Sequence, residues 1–489
     1  MRIAVVGAGL GGLAAAALLA KEGHEVVVVE KNGNVGGRAG VFSRDGFVFD
    51  MGPTWYLMPE VFDRYFSEFG KKTSDFYNLL KLDPSFRVFF DDGQTAEITP
   101  RLDENIQLFD RLEPNGGDKL RRYLAKCENL YRSISKTLYL DLDSPFSFFQ
   151  WEVLSQGMKI NILESVEAYV KKWFSSDKAH KILLYSVGFV GTPPAKAPSF
   201  YTILNYVKIA QGVYFPEKGI RQVVEAVYNL AKSQGVEFLL DHEVNKIEVE
   251  NGLAKRVVAD GTSIKADAFV FNADYAYVET TLLDPKYRTY DAGYWDRKLF
   301  TPSALIAYVG LDRKLDNVVH HNVFLEKDWG ENFQQVFNPN RREWPEYASY
   351  YVHVPSKTDR TAAPPGGEAV FFLIPVASGL VDDDQKREKL FNVIVRDFEN
   401  KIGEKVSDAI VLKQFFSVRD FTGRYSSYKG SALGLAHTLR QTAFWRPRHR
   451  SRRVKNLYYT GQYTHPGIGL PMVLISAHII RDKIKRELM

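Results

Sequence analysis

Residues 5–40 read VVGAGLGGLAAAALLAKEGHEVVVVEKNGNVGGRAG, and the spacing of the first three glycines constrains the chain more than anything else in it. Gly7, Gly9 and Gly12 form GxGxxG directly behind an apolar strand predicted at Arg2–Val6 and at the mouth of a helix predicted over 11–22. A second strand is predicted at Glu25–Glu30, which completes a compact β-α-β unit. In such a unit the first glycine permits a tight turn, the second admits a pyrophosphate close to the backbone, and the third lets helix and strand pack closely. The helix N-terminus adds free N–H groups and partial positive charge. Glu30 ends the second strand eighteen residues beyond Gly12, where a carboxylate can hydrogen-bond ribose hydroxyls. A doubly wound α/β half that holds a dinucleotide is therefore expected. The apolar stretch 4–20 has the texture of a targeting segment, but it runs without a break into the second strand and is read as fold.

The rest of the chain supplies the other pieces of such a half at a distance. Strand character at 236–240 leads into VNKIEVENGLAKRVVADGTSIKADAFVFNAD, whose alternation, with Asn251-Gly252 and Asp260-Gly261 as hairpin turns, predicts a β-meander feeding a strand at 268–271. Near the end, LYYTG (457–461) reads as a buried strand, followed by the turn HPGIG and a helix over about 471–486. Between these pieces, 100–190 reads mostly as helix, and 300–420 mixes strands (SALIAYVGL, AVFFLIPVA) with a helix around 384–402. We therefore expect one nucleotide domain from segments 1–95, 215–275 and 425–489, and a second domain from 96–214 and 276–424. At 489 residues two packed domains are the natural division. Net charge is only +5, so nucleic acid is not expected as a partner. A single cysteine, Cys127, excludes an intramolecular disulfide and any CxxC pair. No apolar run reaches the length of a membrane-spanning helix.

After Glu30 comes KNGNVGGRAG, whose Gly36-Gly37-Arg38 offers the same pyrophosphate a second flexible backbone and a cation. No further GxGxxG follows. A single dinucleotide site favours a retained flavin over a dissociable nicotinamide. Together, GxGxxG, Glu30, VGGRA, FDMGPT (49–54) and YYTGQYTHPGIGLPMVLISAH resemble the bacterial-type phytoene and carotenoid desaturases of the flavin amine oxidase superfamily. The resemblance continues through YFPEKGIRQVVEAV, FNAD (271–274), VHHNVF (319–324) and AFWRPRHR, so it covers nearly the whole chain. It implies a Rossmann-like FAD-binding domain of the GR2, amine-oxidase type with an inserted α+β substrate domain. It further implies that Gly7, Gly9, Gly12, Glu30, Gly37 and Arg38 hold the ADP half of FAD, and that the backbone of Val244 meets the adenine. Gly461 and the helix start Pro471-Met472-Val473 would meet the ribityl and isoalloxazine part. Gln462 stands near a place where many superfamily members carry an acid.

The same resemblance implies an oxidoreductase that introduces conjugated double bonds into phytoene or a related long polyene, the hydride passing to flavin. Its implied partners are a long apolar polyene, a membrane surface contacted peripherally from the cytoplasm, and oxygen or a quinone as terminal electron acceptor. Aromatic clusters in YSVGFV, PSFYTILNYV and SPFSFFQWEVL suit either the lining of an apolar pocket or a large core. Segment 145–175, which combines aromatics with lysines, is the candidate membrane-facing region. RPRHRSRRVK (446–455) reads first as a solvated loop and second as a contact for anionic lipid. No catalytic base is assigned. Where family members carry an Arg-Asp pair this chain has Phe149 and Gln150, with Glu152 the nearest acid. His320, His321 and His465 are alternatives, read first as structural or flavin-orienting. Other reactions considered on this fold are carotenoid isomerisation with reduced flavin, desaturation of a hydroxylated carotenoid, and amine oxidation. From another class comes a prenyl-chain carrier resembling the Rab GDP-dissociation inhibitors.

Overall fold

The computed structural model describes residues 1–143, 164–338 and 341–488. Its nucleotide half is a five-stranded parallel sheet in the order Leu457–Tyr459, Ala268–Phe271, Arg2–Val6, Glu25–Val29, Glu237–Leu239. Strand periodicity of two assigns its faces. Ile3, Val5, Val26, Val28, Ala268 and Val270 point to one side, where the helices Leu10–Lys21, Arg221–Ser233 and Leu470–Leu488 bury their apolar stripes. Ala4, Val6, Val27, Val29, Phe269 and Phe271 point to the other, onto Val244, Ile247, Ala254 and Val257 of the antiparallel meander Val244–Glu250, Leu253–Ala259, Thr262–Lys265. Both faces are covered, which is why these strands read as near-continuous apolar runs. The meander turns at Asn251-Gly252 and Asp260-Gly261, all four residues with positive φ, as two-residue hairpins of this hand require. One expectation is corrected: the strand near 236–240 does not join the meander but pairs parallel with Glu25–Val29 as the sheet edge.

The second sheet has seven strands in the order Ile410–Phe416, Ser303–Leu311, Glu368–Val376, Tyr350–His353, His321–Leu325, Phe86–Phe90, Thr95–Ile98. Phe86–Phe90 falls within segment 1–95, with Thr95–Ile98 beginning at its last residue, so this segment contributes to both sheets. Alternation again decides what each face meets. Leu305, Val309, Phe324, Val352, Val370 and Phe372 pack on Leu390, Phe391, Ile394 and Phe398 of the helix Asp384–Ile402. The opposite face, with Ala304, Ile306, Val323, Leu325, Tyr351 and Leu373, looks into a cavity. The helices Leu102–Leu112, Gly116–Ser135, Val166–Lys171 and Asp177–Leu184 contribute to the core on this side. Among the described residues no helix is long and apolar enough to cross a membrane.

Candidate active site

The cradle is built around one side chain. Asn272 follows the strand Ala268–Phe271, and its backbone N–H donates to the Val6 carbonyl at 2.8 Å. Its amide nitrogen donates to the Thr460 carbonyl at 3.1 Å, so it ties the middle piece of the half to the first and the last. A Cβ added at Gly9 would lie 2.7 Å from Asn272 Oδ1, one at Gly11 2.8 Å from Nδ2, and one at Gly461 2.5 Å from Nδ2. A Cβ at Gly12 would overlap the Gly7 carbonyl oxygen. The glycines are thus required by protein packing as much as by a ligand, and sequence reasoning quoted FNAD without recognising Asn272 as their common neighbour. Gly37, at φ +55°, would place a Cβ 3.3 Å from the Gly9 Cα, so the two glycine turns touch.

Glu30 is buried, and its carboxylate accepts from the Ala8 N–H at 2.7 Å, the Asn32 N–H at 2.9 Å and the Asn32 amide at 2.7 Å. The Arg38 guanidinium donates to the Ala432 carbonyl at 2.7 Å and to Ser427 Oγ at 3.2 Å, and it lies over the Tyr425 ring. Gly461, at φ +105°, donates its N–H to Ser476 Oγ of the last helix at 3.0 Å. Gly7, Gly9, Glu30, Gly37, Arg38, Val244, Pro471, Met472 and Val473 all line one cavity of about 790 Å³, while Gly12 and Gly461 stand just behind the wall and let it close. Leu10 and Gly11, whose N–H groups belong to the unsatisfied first turn of the helix, line it too.

The cavity continues past the cradle to the seven-stranded sheet and to Trp329, Phe333 and Phe337. Asp274, Gln462, Tyr463 and His465 line the same cavity. Asp274 accepts from the Tyr463 hydroxyl at 2.6 Å, and burial pushes its carboxyl upward. Asp50, from FDMGPT, accepts from the Ile220 and Arg221 N–H groups at 2.9 and 3.2 Å, at the start of the helix Arg221–Ser233. Burial raises it to about 6. His465 donates its Nε2–H to the Leu138 carbonyl at 3.0 Å, which leaves Nδ1 of the neutral ring as an acceptor. Burial lowers its pKa to about 3, so the imidazole is neutral. His320 and His321 do not line the cavity. The Trp55 ring stacks on His321 at 4.8 Å and the Tyr351 hydroxyl meets its Nδ1 at 2.6 Å, so these two residues form the wall between them. Phe149, Gln150 and Glu152 lie outside the described residues, as does most of segment 145–175.

The run RPRHRSRRVK is only in part a solvated loop. Arg446 is buried and donates to the carbonyls of Gln441, Gln462 and Tyr463 at 3.0, 2.6 and 3.1 Å, so it holds the segment that carries Gln462. His449 is buried between Asp143 and the His465 carbonyl. Arg452, Arg453 and Lys455 are the exposed members. The alternation of charged and small residues could not distinguish a cation that caps carbonyls from one that faces water.

These features define a dinucleotide flavoprotein with an apolar second chamber. Residues 10–479 match the family of flavin containing amine oxidoreductases. The chain is 40% identical over 478 residues to carotenoid 3,4-desaturase of Haloarcula japonica, covering 97% of this chain and 96% of that one. It is 33% identical over 491 residues to the zeta-carotene-forming phytoene desaturase of Myxococcus xanthus, covering 99% and 93%. Among solved structures, an oxidoreductase from Methanosarcina mazei shares the fold at a TM-score of 0.62 and 19% identity, with 98% and 99% covered. The chain belongs to the flavin amine oxidase superfamily and, within it, to the bacterial-type phytoene and carotenoid desaturases. It is an FAD-dependent oxidoreductase acting on CH–CH bonds, and the prenyl-carrier reading is set aside. The donor set suits FAD: a helix N-terminus, glycine turns already closed against Asn272, a buried acid at the strand end, and an apolar chamber contiguous with them.

Proposed function

We propose that this protein desaturates a long polyene of the carotenoid class, and that Gly7, Gly9, Glu30, Gly37, Arg38 and Val244 hold the ADP half of its FAD. On this reading Gly461 and Pro471-Met472-Val473 hold the flavin half. The observation that carries the proposal is the single cavity that joins the glycine cradle to a chamber walled by Trp329, Phe333, Leu373 and Phe337. An apolar chain without polar handles is retained by area alone, about 25 cal/mol per Å² removed from water. FAD when bound supplies the hydride acceptor. The chain's own contribution is to exclude water, to align the polyene against the cradle, and to keep His465 neutral with its Nδ1 free toward a proton. A second reading, action on an already conjugated carotenoid in place of phytoene, is favoured by the higher identity to the 3,4-desaturase than to the phytoene desaturase. Access of so apolar a substrate suggests peripheral contact with a membrane, with Arg452, Arg453 and Lys455 as the candidate lipid-facing cations, and oxygen or a quinone as acceptor.

The test is anaerobic incubation of the FAD-loaded protein with phytoene, and separately with lycopene, in liposomes. Flavin bleaching with a more conjugated product from either polyene supports desaturation and chooses the substrate. An oxidised flavin and unchanged pigments with both would sink the proposal.

A further inference from the structure

The strands His321–Leu325 and Tyr350–His353 run antiparallel, and their register sets His321 opposite His353. Opposed residues of such a pair share a face. His320 immediately precedes the first strand, and its ring turns to the same place, edge-on to His321 at 4.5 Å and 4.6 Å from His353. One nitrogen of each ring lies within 4.8 Å of one nitrogen of each of the others. His320, His321 and His353 are 4%, 0% and 1% exposed. Phe215 and Trp55 close the cluster, their rings centred 4.4 Å from His320 and 4.8 Å from His321. Among the described residues no carboxylate pairs with any of the three.

Burial holds the three rings neutral, so each carries one N–H and one lone pair. The Nε2 atoms of His320 and His353 are 3.0 Å apart, and two lone pairs meet at that distance only with a proton or a cation between them. One shared N–H···N bond would account for that pair. It leaves His321 unexplained, because its Nε2 is buried without a partner, which is costly whether that atom is a donor or an acceptor. The Nδ1 atoms are engaged instead: that of His320 meets Thr358 Oγ1 at 2.7 Å, and that of His321 meets the Tyr351 hydroxyl at 2.6 Å. The Tyr351 hydroxyl in turn lies 2.8 Å from Thr54 Oγ1, which can take its proton. A ring that gives its Nδ1–H to an oxygen and keeps a bare Nε2 is in the state in which histidine ligates a metal.

We propose that His320, His321 and His353 bind a single transition-metal ion through their Nε2 atoms, behind the chamber wall formed by Trp55 and Tyr351. Three neutral imidazoles without a carboxylate suit zinc(II) or copper(I), and not magnesium or calcium. The ion ties two neighbouring strands of the seven-stranded sheet and fixes the ring on which Trp55 stacks. The other group of potential ligands, Asp141, Asp143 and His449, has no such opening, since Lys483 pairs with both carboxylates at 2.8 and 2.9 Å and Arg486 with Asp141 at 2.7 Å. The proposal does not depend on the polyene reading.

The test uses untagged, FAD-loaded full-length protein stripped with EDTA. It is titrated with zinc chloride and, under nitrogen, with copper(I) as its acetonitrile complex, and metal retained through gel filtration is counted by mass spectrometry. One ion per chain is expected from one of the two titrations, which also selects the ion, with a melting temperature that rises with free metal. His353→Phe should retain none. Thr358→Val keeps all three ligands and loses only the oxygen on His320 Nδ1, so it should weaken binding at least about tenfold. No retained metal in wild type overturns the proposal, as does wild-type stoichiometry in His353→Phe. If that variant does not fold, Thr358→Val decides, and unchanged affinity there overturns it.

Discussion

The two ends of the cavity are made differently. At the cradle, selectivity is written in glycines: a Cβ would press on backbone at Gly7 and Gly12 and on the Asn272 side chain at Gly9, Gly11 and Gly461. At the chamber it is written in side chains: Ile306, Val323, Leu373, Phe333 and Trp329 come from separate strands and a helix, and each can be resized without disturbing the others' backbone. The contrast teaches where this protein can vary. A cradle that contacts a fixed cofactor tolerates almost nothing, whereas a wall of alternating strand residues can be retuned for chain length or end group one position at a time.

If that contrast is right, the largest effect belongs to the cradle. Gly12→Val should cost more than about 4 kcal/mol, because its Cβ overlaps the Gly7 carbonyl, and should yield protein without flavin absorbance; a yellow, normally melting variant would break the comparison. Asp50, which accepts from the start of the helix Arg221–Ser233, comes next. Its folded carboxyl is raised to about 6 from 3.8, so the folded state binds the extra proton. That contribution is fully present below pH 3.8 and is lost as pH rises through 6, by roughly 3 kcal/mol. Asp50→Asn should therefore remove a downward slope of stability between about pH 4 and 6, read by denaturant melts across that range. Asn272→Ala should cost about 2 kcal/mol and lower FAD affinity at least about tenfold, since it deletes the bond to Thr460 and empties the space among Gly9, Gly11 and Gly461. The smallest effect is at the chamber: Phe333→Ala should leave FAD content and melting temperature alone and raise the polyene KM roughly fivefold, about 1 kcal/mol of lost apolar contact. Loss of flavin from that variant would show that the two ends are not separable.

Much of the nucleotide half was legible because its signals are local. GxGxxG behind Arg2–Val6, the Asn-Gly and Asp-Gly turns of the meander, and the strand at Ala268–Phe271 each depend on a few adjacent residues, and each stands where the pattern put it. The strand Ser303–Leu311 and the helix Asp384–Ile402 were equally plain, the one from a continuous apolar run, the other from its length and period. The strand Glu237–Leu239 went to the wrong sheet because three residues carry no register, and pairing was decided by the space left beside Glu25–Val29. Arg446 was misread within a basic run because charge alone does not reveal direction, and its partners are carbonyls fixed by tertiary structure. His353 gave no signal at all, since its meeting with His320 and His321 depends on the register of two strands.

By itself, then, the sequence determined that a dinucleotide half opens the chain, which glycines turn its backbone, and which family the motifs resemble. Those properties follow from steric limits on single residues and from short hydrophobic periods. Tertiary structure alone decided that Asn272 locks the three pieces of that half, that Trp55 and Tyr351 wall His321 off from the cavity, and that His353 joins His320 and His321 behind that wall. Those depend on which side chains meet across long stretches of chain, and burial and pairing arise only when the sheets have closed around the cavity.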